Sequence, residues 1–197
     1  MSDTLNEKTT AATSDSPIPT VDLADFLSGD PVRKNDFVQK LGKAYEDVGF
    51  VSVINHGIPE DVIAHLYEAV QGFFTLPVDS KLKYEIREIA GQRGYTAFGR
   101  EHAKGYDSPD LNQSLIDAYH GFEKSGRSIL AALAVFVGLP EKYFDDKIHH
   151  GNSILRAIHY PPITEEPKKA IRAEQHEDIN LITLLVGASA EGLQVLN

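Results

Sequence analysis

Strand-forming segments are scarce through the first three quarters of this sequence and crowd together at its C-terminal end. That asymmetry limits the available folds more than any other feature. "SILRAIHYP" (Ser153 to Pro161) and the apolar run after Asp178, "INLITLLV", are rich in branched aliphatic residues and short enough for strands. A turn through "PPITEEP" follows the first of them. So few strands leave a sheet with an unpaired edge and an uncovered face, both costly. The expectation is a chain that is mainly helical in front, opens a sheet at its end, and finds its remaining strands beyond Asn197.

Ahead of these strands the pattern is helical. Ile18 to Leu23 is a short extended segment closed by a turn at Ser28-Gly29-Asp30. Asp30-Pro31 reads as an N-cap with proline in the first turn. Phe37, Leu41, Ala44, Tyr45 and Val48 then recur at helical spacing, and Gly49 ends the helix. Phe50 to Asn55 is β-branched and short, which predicts a strand. A second helix opens at Pro59 with Val62, Ile63, Leu66, Val70, Phe73 and Phe74 on one face, and "LPVDSKLKYEI" begins a third. The glycine-rich stretch "AGQRGYTAFGREHAKGYDSPDLNQS" has no sustained period and reads as loop. From Leu115 a long helix runs to Val137, stopped by Gly138 and Pro140.

Composition narrows the function classes. With 197 residues, 42% of them hydrophobic, the chain can hold one domain with a core or a piece of a larger one. A net charge of -10 argues against nucleic acid, which needs concentrated Lys and Arg. The most basic segment, "KLKYEIREIAGQR", reads as a solvated helix face. No apolar run reaches the roughly 18 residues of a membrane span. Residues 1–17 are polar, acidic and rich in Ser and Thr, which predicts a disordered tail rather than a signal peptide. With 0 cysteines there are no disulfides, any metal must take N and O ligands, and a cytoplasmic location fits best.

His176 and Asp178 stand two apart at the mouth of the last apolar run. On an extended backbone, residues i and i+2 face the same side. A small bend lets an imidazole nitrogen and a carboxylate oxygen converge on one cation at about 2.0–2.2 Å. Imidazole plus carboxylate suits Fe(II), Zn(II) or Mn(II), and a second imidazole completes the facial triad of non-haem iron oxygenases. In a chain with 8 histidines, chance supplies such a pair about as often as not. On spacing alone, a histidine capped by a nearby aspartate is the favoured reading.

Context distinguishes the two. "HEDINLITLL" resembles the iron-binding strand of the isopenicillin N synthase-like and 2-oxoglutarate-dependent oxygenases. "LRAIHYPP" is similar to that superfamily's Arg-x-x-x-Tyr-Pro strand, and "GLQVLN" to its Gly-Leu-Gln-Val segment. "IPTVDLADF", "VGFVSVINHGIPEDVIAHLYEAVQGFFTLPVDSKLKYE" and "RGYTAFGRE" resemble its N-terminal region, in family order from about Ile18 to Asn197. The resemblance implies an α+β fold whose double-stranded β-helix (a cupin-like jelly roll) follows a helix-rich N-terminal region, with the sheet incomplete in this chain. It divides the chain into a tail (1–17), an N-terminal oxygenase region (18–112), a long supporting helix and loop (113–150), and the start of the jelly roll (151–197).

The resemblance further implies Fe(II) held by His176, Asp178 and a second histidine downstream of Asn197, with an Arg-x-Ser beyond it. Within the chain, His159 is the remaining candidate for a third ligand. O2 and 2-oxoglutarate are the implied cosubstrates, and a small molecule is the implied substrate. Tyr160 is either a contact for a carboxylate of cosubstrate or substrate, with Arg156 on the same face, or a core tyrosine. Arg93 and Tyr95 lie where the family lines its substrate pocket, although a surface arginine is the favoured reading for Arg93. Between Tyr106 and Leu115 the chain is shorter than the family pattern. Two alternatives stay open: an isopenicillin N synthase-like oxidase that uses no 2-oxoglutarate, and a non-catalytic fragment serving as a binding module.

Overall fold

The computed structural model describes residues 18–86, 94–96, 109–162 and 176–187. The predicted tail and Arg93 lie outside these residues. Among them the chain runs β1 (Thr20–Asp22), α1 (Leu23–Leu27), α2 (Pro31–Asp47), β2 (Ser52–Ile54), α3 (Glu60–Thr75), α4 (Val78–Leu82), α5 (Pro109–Phe136) and α6 (Asp145–Ile148). Two compact units divide it. Among the described residues, one comprises 18–57, 124–151 and 184–187, and the other 58–86, 94–96, 109–123, 152–162 and 176–183.

In the first unit, β1 and β2 pair in parallel, with Val21 opposite Val53. Parallel strands need a long crossover, and α1 and α2 supply it. Asp22 ends β1 and caps α1, its Oδ1 accepting from the Ala24 amide at 2.9 Å. Its Oδ2 accepts from Asn55 Nδ2 at 2.9 Å, which ties the end of β1 to the residue after β2. The α2 signals are realised as read. Asp30 Oδ1 accepts from the amides of Val32 and Arg33, and Pro31 occupies the first turn. Gly49, at φ +76°, provides the left-handed residue that ends the helix.

The core of this unit is built from Val21, Leu23, Phe26, Phe37, Val38, Leu41 and Ala44, joined by Ile129, Leu130, Ala132 and Ala134 from the second half of α5. The rings of Phe26 and Phe37 pack 5.6 Å apart. Gly42 is buried on α2, where any Cβ would fall within 3.0 Å of the Phe136 ring at the end of α5. Ser125, only 5% exposed, donates from Oγ to the carbonyl of His56 at 2.6 Å. This bond satisfies a buried hydroxyl and holds the Asn-His-Gly turn, in which Gly57 has φ +78°.

In the second unit, α3 follows Pro59 with Glu60 and Asp61 in its first turn. The six apolar residues expected on one face, together with Ala69, are the partly covered residues of this helix, and the rest are exposed. That is a 3.6-residue period read directly as burial. Phe73 packs edge-on against Phe74, Tyr84 and Tyr95, with ring centroids 5.5, 5.2 and 5.7 Å away. Lys81 anchors the start of the next segment by donating from Nζ to the Phe74 carbonyl at 2.7 Å.

Several expectations are corrected. Ser153 to Pro161, expected as a strand, is irregular, and the sheet among the described residues is β1 with β2. The strand expected over Phe50 to Asn55 shortens to Ser52–Ile54. Leu23, expected to be extended, instead begins α1. The third helix is a five-residue α4, and α5 begins at Pro109 rather than Leu115. The described structure is thus a helix-rich α+β fold with a two-stranded sheet. No helix among the described residues is long and apolar enough to cross a membrane.

Candidate metal centre

His176 and Asp178 lie in an irregular segment just ahead of a bend at Asn180 and Leu181. His176 Nε2 stands 3.6 Å from Asp178 Oδ1, and the two side chains are 67% and 47% exposed. A contact this exposed contributes little by itself, about 0–1 kcal/mol. The geometry is therefore more informative about binding than about stability.

The second carboxylate oxygen is occupied. The Thr183 hydroxyl donates to Asp178 Oδ2. Asn180 Nδ2 donates in turn to Thr183 Oγ1 at 3.0 Å. The hydroxyl has one proton and two acceptors within reach, Asp178 Oδ2 and Asn180 Oδ1, the latter at 3.3 Å. The charged carboxylate is the stronger acceptor, so the proton goes to Asp178. Asn180 and Thr183 were not singled out from the sequence. The signal was present, since they are the polar residues that interrupt the apolar run "INLITLLV".

The donor set suits a borderline divalent cation: one neutral nitrogen and one anionic oxygen, with no thiolate. Two ligand atoms about 2.1 Å from a cation and at right angles would lie about 3.0 Å apart. The observed 3.6 Å needs only a slight closure. Two donors fit such an ion but do not complete its shell. Among the described residues no three His, Asp or Glu side chains converge. His159, the fallback third ligand, instead packs its ring 5.2 Å from Phe74.

The other predicted site residues are placed as follows. Arg156 is exposed and Tyr160 is 42% exposed, both in the irregular segment that replaces the expected strand. Tyr95 is half-buried against Phe73 and Phe74, with its amide donating to the Tyr84 carbonyl at 2.8 Å and Lys81 Nζ 5.9 Å from its ring. An open groove lined by His65, Glu68, Gln113 and Asp117 contains none of the predicted site residues.

Comparison with known proteins gives consistent matches. Residues 18–127 match the family model described as "non-haem dioxygenase in morphine synthesis N-terminal". Proline hydroxylase buaE of Petromyces alliaceus is 31% identical over 89% of this chain and 66% of its own length. The 2-oxoglutarate-dependent dioxygenase ecdK of Aspergillus rugulosus is 30% identical over 89% of this chain and 67% of its own. Across four such relatives the chain spans between 55% and 66% of their length. Among solved structures, a 2OG-Fe(II) oxygenase family protein from Caulobacter crescentus superposes with a TM-score of 0.56 at 23% identity. That match covers 66% of this chain and 52% of the other. A full-length Neurospora crassa protein in complex with alpha-KG gives 0.57 at 23% identity, covering 65% and 50%. At this identity the structural likeness concerns the fold.

Proposed function

The chain belongs to the non-haem dioxygenase family, and from that membership we propose that its protein is an Fe(II)- and 2-oxoglutarate-dependent oxygenase acting on a small molecule. One observation carries the reading. A chain that matches this family over residues 18–127 also brings His176 and Asp178 to 3.6 Å further along. In the same reading, residues 151–197 begin a double-stranded β-helix, and a downstream histidine completes the ligand set.

When bound, Fe(II) supplies the redox chemistry that couples 2-oxoglutarate decarboxylation, giving succinate and CO2, to oxidation of the substrate by O2. The chain's residues do the rest. His176 contributes a neutral donor and Asp178 a single negative charge, so the site keeps a net positive charge that attracts a carboxylate-bearing cosubstrate. Arg156 and Tyr160, four residues apart, offer a cation and a hydroxyl donor to such a carboxylate. Tyr95, fixed by its aromatic neighbours, lines the substrate side and excludes water from it. A cytoplasmic site of action accords with a chain that has no cysteines.

The test is succinate formation by the full-length protein given Fe(II), 2-oxoglutarate and O2. Succinate that depends on all three supports the assignment. Substrate oxidation without succinate would replace it with the oxidase alternative, and no turnover together with no metal binding would leave a binding module.

A further inference from the structure

We propose that Thr183 is a positioning residue that sets how Asp178 meets the metal, holding the carboxylate to a single-oxygen contact through Oδ1. This rests on the metal reading above and deepens it. The Thr183 hydroxyl engages Oδ2, while Oδ1 stands 3.6 Å from His176 Nε2. A carboxylate free to rotate can offer a cation both oxygens, and the second would take a coordination position needed by cosubstrate or O2. A hydroxyl proton bound to Oδ2 lowers the electron density there and fixes the plane of the carboxylate, leaving Oδ1 as the donor.

Asn180 makes the arrangement directional. Its amide donates into the Thr183 oxygen at 3.0 Å, so the threonine's lone pair is engaged and its one proton is aimed at Asp178. The three residues form a relay from Asn180 to Thr183 to Asp178, all at one bend of the chain. Asp178, Asn180 and Thr183 are all exposed, so the relay adds nothing that packing alone would require.

The experiment uses Mn(II) as the probe, with the full-length protein, and reads both affinity and the electron paramagnetic resonance spectrum of the bound ion. The parent protein binds Mn(II) through His176 and Asp178. Thr183→Val, which keeps the shape and removes the hydroxyl, binds about 10–100-fold more weakly and gives an altered spectrum. Thr183→Ser restores both affinity and spectrum, and circular dichroism of all three proteins is the same. Thr183→Val binding Mn(II) with the parent's affinity and spectrum overturns the positioning role while leaving the metal assignment standing. A parent protein that binds no Mn(II) overturns the metal assignment itself, and the positioning role with it.

Discussion

Gly42 is the position where the packing of the first unit makes its sharpest quantitative demand. It sits in the middle of α2, where alanine would ordinarily gain about 1 kcal/mol of helix propensity over glycine. A Cβ there would, however, fall within 3.0 Å of three atoms of the Phe136 ring. Carbon atoms attract one another at about 3.5–4.0 Å, so the ring would have to retreat by more than about 1 Å. Overpacking of this kind costs about 1–3 kcal/mol. For Gly42→Ala the two effects leave a net destabilisation of about 1 kcal/mol. With the ring removed in Phe136→Ala, only the propensity gain remains, and the same substitution should stabilise by about 1 kcal/mol. The double-mutant cycle should therefore show a coupling of about 2 kcal/mol, read from guanidinium unfolding midpoints of the four proteins. Gly42→Ala having the same effect in both backgrounds would refute the close approach of α2 and Phe136.

Three further outcomes follow from particular bonds. Asp30→Ala removes the acceptor for the Val32 and Arg33 amides at the start of α2, and should lower unfolding stability by about 1 kcal/mol, with Asp30→Asn recovering most of it. Ser125→Ala breaks the bond to the His56 carbonyl and should cost about 1 kcal/mol by chemical denaturation, whereas an unchanged midpoint would mean the bond does not form in solution. Burial pushes the Tyr45 hydroxyl above its ordinary ionisation range. The folded state therefore keeps its proton at a pH where the unfolded chain begins to lose it. That contribution to stability is whole below about pH 10 and is lost as pH rises beyond it. Burial raises Tyr67 as well, so ultraviolet titration should show late-ionising tyrosine absorbance that is reduced, not abolished, in Tyr45→Phe.

The helices were legible because their instructions are local. Asp30, Pro31 and Gly49 mark both ends of α2, and Phe37, Leu41 and Ala44 are buried where the period puts them. On α3 the same period predicts which residues are covered, although none is fully buried. The misses have physical causes too. α1 has five residues, too few to display a period, and its signal was Asp22, which acts as the cap rather than the end of a strand. α5 starts six residues earlier than its apolar pattern, at Pro109, a residue that suits a first turn. Ser153 to Pro161 has strand composition, but a ladder is a relation between two segments, and composition in one of them does not supply the other. At the site, His176 and Asp178 were legible from their motif. Thr183 shows in the sequence only as a polar residue interrupting the apolar run, and what sets it apart is where its hydroxyl points.

The metal assignment is tested most directly by anaerobic Fe(II) titration of the full-length protein against its Asp178→Ala variant. Loss of a ligand should exceed the roughly 10–100-fold effect of losing a residue that merely supports one, so the variant should bind iron more than about a hundredfold more weakly than the parent. A variant that holds Fe(II) as tightly as the parent would contradict it.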